Sequence, residues 1–358
     1  MTRLRPTLLQ LTLRRLALGV VAVGVATLPA TTLPAAAQHQ LPSKPPERMA
    51  DRLQPAPAAG EVGVLPVQGN IYMLNLGEVN IVAQVGDDGI LLVDSGPAAW
   101  TDRIARTLRD RFGSRPIRYL INTSLNPNHT GGNAAIMKLT RPAGEGGGGG
   151  GGGNAAARLI AHEHTLNRMS GTTDGETALP QEMLPTSTFF TEKKEIYFNG
   201  EPIEILFQPS AYTDGDVLVF FRGSDVIAAG KLFSTASFPI IDQKRGGSIQ
   251  GHLDALNRIL DITVPRFNQM GGTMVIPGSG RLSNESDVDD YRNWMTIVRD
   301  RIQEMIKKKM SLTQVKAARP TLDFDGVFAH PSWTTDQFVE AVYSSLSQAE
   351  TPARRGSN

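Results

Sequence analysis

Apolar runs along the chain predict a mixed fold of strands and helices that begins at about Val64. Three β-type runs open it, at residues 71–74, 79–85 and 90–93, with turns containing glycine between them. Large apolar residues then recur at helical spacing over residues 97–112, and residues 117–121 return to a strand. This order is typical of a strand–helix–strand unit.

A second half with the same character follows. Further strands are predicted at residues 156–161, 195–198, 203–207, 217–221 and 226–229. Amphipathic helices are predicted from Ile249 to Leu260 and from Val288 to Met305, and a last helix opens with Thr334 and Gln337 in capping-box spacing. Two halves of sheet with helices outside predict an α/β (α+β) protein built as a four-layer αββα sandwich.

The first 37 residues have the pattern of a signal peptide. Four arginines precede an apolar run at residues 16–28, and three alanines at residues 35–37 resemble a cleavage site. The apolar run is too short to span a bilayer, so we expect cleavage near Ala37, a periplasmic or secreted protein, and no membrane association afterwards. The pattern leaves open whether export uses the general secretory or the twin-arginine route.

Charge and composition exclude several classes of function. The chain has a formal net charge of +1, and removal of residues 1–37 takes away four arginines and no acid, which gives −3. No basic patch argues for nucleic acid as a partner. The chain contains no cysteine, which excludes disulfides, thiolate zinc sites and a cysteine nucleophile.

The predicted domain covers residues 63–310, after a Pro/Ala-rich leader at residues 38–62. It contains a glycine-rich run at residues 144–153, which lacks the lysine and serine that end a phosphate-binding loop, so we interpret it as a flexible surface insertion. Residues 311–358 are expected to form a C-terminal helical extension and tail.

One loop carries the most specific motif of the chain. Residues 123–133 read Thr-Ser-Leu-Asn-Pro-Asn-His-Thr-Gly-Gly-Asn, which resembles the motif Thr-His-x-His-x-Asp-His-x-Gly-Gly-Asn of the metallo-β-lactamase superfamily. Residues 211–216, 229–233 and 276–280 resemble three further motifs of that family in the right order, and Asp94 matches an aspartate behind its metal site. The resemblance implies the family's αββα fold over residues 64–309.

The resemblance also implies that most metal ligands are replaced. Only His129 keeps its family identity, while six positions that hold zinc ligands in the family are changed: Ser124, Asn126, Asn128, Tyr212, Lys231 and Ser279. Neutral amides and hydroxyls are poor zinc ligands, and an ammonium at the position of a bridging carboxylate repels the metal ion. No cofactor is therefore expected.

The carboxylates near the former metal site remain. Asp94, Asn133, Asp214 and Asp216 are expected to line or support the pocket, and we hypothesise that Lys231 pairs with one of the three aspartates, because a buried carboxylate cluster requires a counter-charge. Ser124 and Ser279 are interpreted as structural residues, and Tyr212 as a ring that fills the space of the metal.

One alternative metal site stays open. Strand alternation would put His162 and His164 on the same side, where they could bind zinc together with His129 or Asp214. His252 is interpreted as a surface or helix-end residue.

The function that these patterns favour is a catalytically inactive, exported homologue that binds a small molecule or a protein in its former active-site cleft. The alternatives are a hydrolase with a relocated or atypical metal site, or without metal, and a purely structural protein.

Overall fold

The computed structural model describes Ala58 and residues 60–140, 156–264 and 272–350. The predicted signal peptide, most of the leader and the glycine-rich run at residues 144–153 lie outside these residues. Among the helices that are described, none is long and apolar enough to cross a membrane.

The first sheet has seven strands that lie side by side in the order of the sequence. The first four are antiparallel, and the pairs from the fourth strand to the seventh are parallel. They are β1 (Gly63–Pro66), β2 (Ile71–Asn75), β3 (Asn80–Gly86), β4 (Gly89–Val93), β5 (Ile117–Ile121), β6 (Arg158–His162) and β7 (Ser187–Phe189).

The second sheet has six strands, in the order β13-β12-β11-β10-β9-β8. All its pairs are antiparallel except β11 with β12, which are parallel. The strands are β8 (Lys193–Phe198), β9 (Glu201–Gln208), β10 (Asp216–Phe221), β11 (Val226–Ser234), β12 (Met274–Ser279) and β13 (Ser283–Asn284).

Helices connect the strands and extend beyond the last one. In chain order they are α1 (Thr101–Phe112), α2 (Pro127–Thr130), α3 (Asn133–Leu139), α4 (Glu163–Met169), α5 (Ile249–Ile262), α6 (Glu285–Lys307), α7 (Leu312–Ala317), α8 (Asp325–Phe328) and α9 (Thr335–Glu350). Short 3-10 turns lie at Ala98–Trp100, Gln181–Met183 and Gln243–Arg245.

Three apolar clusters show how the layers stack. The faces of the two sheets meet in one cluster, in which Val82 and Val93 lie opposite Ile205 and Val217. The outer face of the first sheet packs on α1 and α3, and the outer face of the second sheet packs on α5, α6, α7 and α9. The burial of both faces of each sheet confirms the predicted αββα sandwich.

The C-terminal helices share the largest of these clusters. Phe338 and Val342 of α9 are fully buried, and the ring of Phe338 stacks on that of Phe238 with 4.7 Å between centroids. The segment interpreted from sequence as an extension thus adds to the outer helical layer over the second sheet.

Candidate functional site

The carboxyl ends of strands from both sheets meet at one edge of the sandwich. Asp94 follows β4, the loop at residues 122–133 follows β5, and Ser279 ends β12. The backbone N–H of Val217 at the start of β10 donates to the carbonyl oxygen of Thr123, which joins the two sheets there. Gly230 of β11 has a φ of +50°, and a β-carbon on it would lie 2.3 Å from Thr123 Oγ1. Only glycine allows this close approach.

Asp94 organises the loop through three hydrogen bonds. Its Oδ1 accepts from the backbone N–H of Thr123 at 2.8 Å, and its Oδ2 accepts from the Thr123 hydroxyl at 2.7 Å and from His129 Nδ1 at 2.6 Å. Asp94 itself has a φ of +66°, a left-handed conformation that a non-glycine residue rarely adopts. These bonds hold the backbone in that conformation.

His129 is fully buried and presents one free ring nitrogen. Because the Asp94 carboxylate accepts at Nδ1, a neutral imidazole carries its proton there and keeps a lone pair on Nε2. Nε2 is buried and has no hydrogen-bond partner among the residues that the structure describes. The ring lies against Gly278, where a β-carbon would be 3.2 Å from His129 Cε1.

The side chains at the loop positions where the resembled motif has zinc ligands make hydrogen bonds within the site. The Asn126 side chain accepts from the backbone N–H of Asn128 at 2.9 Å, which caps the short helix α2, and its Nδ2 donates to the Tyr212 hydroxyl at 3.0 Å. Ser124 Oγ accepts from the backbone N–H of Asn126 at 3.3 Å. Tyr212 is buried, and burial raises the pKa of its phenol, whereas the Asn128 residue is exposed.

Lys231 and Ser279 line one small cavity, which we call the Lys231 cavity. It has a volume of about 20 Å³, which is room for about one water molecule. Its walls are Gly230, Lys231, Phe233, Ser234, Ser237, Phe238, Pro239, Ile240, Gly278 and Ser279. Burial lowers the pKa of Lys231, and the negative charge of Asp94 opposes part of that shift.

The aspartates behind the site have partners other than Lys231. Asp214 accepts two hydrogen bonds from the guanidinium of Arg168, both at 2.7 Å. Asp216 accepts from the backbone N–H and hydroxyl of Thr213 at 2.6 and 2.8 Å. Burial raises the pKa of Asp216 to about 8, although the Thr213 donors favour its ionised form. Across the described ranges Lys231 makes no ion pair, so the hypothesis that it pairs directly with an aspartate is wrong. Asp94 influences Lys231 only by raising its pKa through its negative charge.

Asn133 lies behind the loop as a structural clamp. Its Oδ1 accepts from the Ser95 hydroxyl at 2.8 Å and from Asn122 Nδ2 at 3.1 Å, and its Nδ2 donates to the Asn122 side chain at 2.7 Å and to the carbonyl oxygen of Met183 at 3.0 Å. All four bonds are satisfied within the fold, so Asn133 positions the loop and leaves no donor for a ligand.

His162 and His164 do not alternate along one strand. Strand β6 ends at His162 and α4 begins at Glu163, with the His162 side chain accepting from the backbone N–H of His164 at 3.3 Å. His162 is buried and stacks on Phe207 with 3.7 Å between centroids, whereas His164 is exposed. The prediction that strand alternation sets their orientation is wrong, because a helix starts between them.

No group of three or more His, Asp or Glu side chains able to hold a metal ion occurs in the part of the chain that the structure describes. His129 bonds to Asp94, His162 stacks on Phe207, and His164 Nδ1 bonds to the carbonyl oxygen of Asp214 at 2.8 Å. The structure does not bring these three histidines together as a ligand set.

Two features of the site were missed from sequence. Arg168, Glu176 and Arg245 form an ion network with Asp214, in which Arg245 Nε lies 2.7 Å from Glu176. No local pattern indicates such partners, because they come from separate parts of the chain. His252 is fully buried rather than exposed as predicted, and its Nε2 lies 2.9 Å from the carbonyl oxygen of Ile240. Its spacing from Ile249 and Leu256 places it on the apolar face of α5, and this spacing could have predicted its burial.

Comparison with known proteins supports the fold of the chain and does not identify its activity. No protein-family model matches the sequence, and the comparison with curated proteins gives no match. Among solved structures, the chain is similar to the stereoselective inverting sec-alkylsulfatase Pisa1 from Pseudomonas sp., with 14% sequence identity and a TM-score of 0.54 over 79% of this chain and 50% of that one. The chain therefore spans about half the length of the alkylsulfatase.

Smaller proteins of the same fold are also similar. A metallo-β-lactamase from Pontibacter korlensis has 13% identity and a TM-score of 0.49, over 66% of this chain and 99% of that one. With the two facing sheets, the outer helices and the alkylsulfatase similarity, the chain has the metallo-β-lactamase fold.

Proposed function

We propose that the chain is an exported protein of metallo-β-lactamase fold that has lost zinc-dependent hydrolysis and binds a small ligand in the cleft where related folds hold their metal. The observation that carries this proposal is Lys231. Lys231 lines the cavity and stands at the position where the resembled motif has a bridging carboxylate. A cation at that point opposes a dication.

The other donors support the same conclusion. Structural and catalytic zinc sites use imidazole nitrogens and carboxylates at three or four positions. Of the seven replaced or retained positions, His129 alone supplies an imidazole, while Asn126 and Tyr212 bond to each other and Asn128 is exposed. These residues do not fit a zinc ion, so no step of the proposed function passes through a metal.

The test is metal content followed by a zinc titration. Protein purified without a chelator should contain less than about 0.1 metal ion per chain by mass spectrometry, and added zinc should leave its melting temperature unchanged, because a ligand stabilises only the state that binds it. Lys231→Asp, which restores a carboxylate at this position, is the matched variant and should respond to zinc more than the natural chain.

Stoichiometric zinc that raises the melting temperature would overturn the proposal. It would favour the alternative of a hydrolase with a relocated metal site. In that case Ala substitutions at His129, His162 and His164 would locate the ligands, since loss of one ligand should abolish the zinc-dependent rise in melting temperature.

A further inference from the structure

A surface pocket lies where α1 meets the residues that lead into β1, and we call it the α1 pocket. It has a volume of about 290 Å³, close to the lower end of the roughly 300–1,000 Å³ typical of small-molecule sites. It shares no residue with the Lys231 cavity. Three arginines and three other polar residues contribute to its walls: Arg103, Arg106, Arg111, Thr107, Asp110 and Glu61.

Positive charge is concentrated around this pocket. Residues 101–118, which contain α1, hold six arginines and two aspartates, whereas the whole chain has a formal net charge of +1. Arg103, Arg106 and Arg111 are exposed, and their side chains form no hydrogen bond or ion pair with the residues that the structure describes. A guanidinium carries five N–H donors, so the walls of the α1 pocket hold many donors that are available to a ligand.

Arg103 is held in place through the face of its guanidinium. Its Cζ lies 4.9 Å from the centroid of the Trp100 ring. A β-carbon on Gly60 would lie 3.9 Å from Cζ, Nη1 and Nη2 alike, which places Gly60 over the face of the group and not beside its edge. Because the N–H bonds lie in the plane of the guanidinium, both contacts leave them free to bind an anion. A side chain positioned in this way loses less conformational entropy when a ligand binds.

Two carboxylates limit the charge of the ligand. Glu61 and Asp110 line the same pocket, and neither forms an ion pair with an arginine within the described ranges. They therefore do not occupy the arginine donors, but their negative charge repels a ligand that carries many negative charges. The pocket is suited to one compact anionic group.

We propose that the α1 pocket binds a small molecule through one oxyanion group, which is a phosphate, a sulfate or a carboxylate. The planar fork of a guanidinium matches two oxygens of such a group, and these charge-assisted hydrogen bonds are about twice as strong as neutral ones. Helix α1 packs on the outer face of the first sheet. This binding therefore goes beyond the function proposed for the Lys231 side of the molecule and does not depend on metal content.

Calorimetric titration of the full chain tests the proposal. Inorganic phosphate, sulfate and acetate are added in separate experiments, with the ionic strength held constant by sodium chloride because salt screens exposed charges. At least one anion should bind saturably, with a Kd of roughly 1 mM, and the anion that binds most tightly identifies the group. If none of the three binds saturably, the proposal is overturned.

Arg103→Gln should weaken binding of that anion about tenfold, because it removes charge-assisted hydrogen bonds. Arg109→Gln is the matched control. Arg109 is an exposed residue of the same helix whose side chain has no described hydrogen bond or ion pair, and it does not line the pocket. This variant removes the same charge and should change the Kd by less than about twofold. Equal weakening in the two variants would assign the binding to the general field of α1 and overturn the pocket.

Asp110→Asn tests the sign of the recognised charge. It removes a negative charge from the pocket wall, so the anion should bind more tightly than to the natural chain. Weaker binding in this variant would overturn an oxyanion as the recognised group.

Labelling of the natural chain decides the question if a variant does not fold. Phenylglyoxal modifies accessible arginines, and peptide mass spectrometry measures the rate at each one. The bound anion should slow modification of Arg103 and leave that of Arg109 unchanged. Equal rates with and without the anion at Arg103 would contradict the proposed site.

Discussion

At the scale of single residues, the site consists of polar groups that satisfy one another around a few buried nitrogens that have no partner among the described residues. Asp94 holds the loop at residues 122–133 with three hydrogen bonds, and Asn126 and Tyr212 bond across the cleft. His129 Nε2, His162 Nε2 and His252 Nδ1 are buried and have no hydrogen-bond partner among the described residues. Buried polar groups without partners are costly to the fold, which is typical of positions kept for binding or chemistry.

His252 should make the protein sensitive to acid. Its pKa is about 4 in the folded protein against 6.5 for an exposed histidine. The unfolded chain therefore binds a proton more readily between these values, so stability is fully present above pH 6.5 and falls as the pH drops towards 4, by up to about 3 kcal/mol.

Urea unfolding at a series of pH values tests this expectation. His252→Gln keeps an N–H for the carbonyl oxygen of Ile240 but does not titrate, so its free energy of unfolding should fall less between pH 6.5 and pH 4 than that of the natural chain. His162, whose pKa is also lowered to about 4, contributes equally to both proteins. Parallel pH dependence in the two proteins would contradict the assignment.

At the scale of elements, several side chains of α4 bond to the rim of the site, and Arg168 makes the charged contacts among them. Arg168 donates to both oxygens of Asp214 and to Glu176 at 3.2 Å. Replacing Arg168 by Met removes these bonds while keeping much of the apolar stem. Backbone amides at residues 211–215 should then exchange with deuterium about tenfold faster, because charged hydrogen bonds contribute about 1.5–3 kcal/mol.

Arg258→Met is the control for this experiment. Arg258 is an exposed residue of α5, and the structure gives it no hydrogen bond or ion pair within the described residues. Mass spectrometry of peptides spanning residues 208–217 should show unchanged exchange in this variant. If Arg168→Met also leaves exchange unchanged, the ion network does not order the rim.

Elements were predictable from sequence where periodicity is strong and unpredictable where it is broken. The strands β2 to β5 and the helices α1, α5 and α6 follow the apolar pattern closely. Strand β12 contains Pro277 and Gly278, which indicate a turn when taken alone, yet it is buried and pairs with β11. His162 ends a strand and caps a helix, which no common capping pattern indicates.

The candidate site follows the same division. The motif frames placed Ser124, His129, Lys231 and Ser279 near one edge of the sandwich, because those frames fix the ends of strands. Arg168, the partner of Asp214, comes from the helix after a different strand and has no sequence signal. Tertiary packing decides which charges pair. The sequence therefore predicted Lys231 as the counter-ion of the aspartates, whereas Asp214 pairs with Arg168.

At the scale of the molecule, a shared fold does not imply a shared activity. The same αββα sandwich occurs in a sec-alkylsulfatase of which this chain spans about half, at 14% identity. A fold shared at that distance does not carry an activity. The strand ends bring the side chains of the site together, and the identity of those side chains, rather than the fold, determines its chemistry.

The C-terminal helix tests whether the outer layer is part of the cooperative unit. Phe338 of α9 is fully buried and stacks on Phe238, so Phe338→Ala should lower the free energy of unfolding by about 3–5 kcal/mol. Phe190, in contrast, is 79% exposed, and Phe190→Ala should change it by less than about 0.5 kcal/mol. Urea unfolding of both variants measures the change in the free energy of unfolding, and the two changes can be compared because each variant loses the same side chain. Similar values would show that α9 is peripheral, whereas a large difference with a single transition means that the helical layer and the sheet carrying Lys231 unfold together.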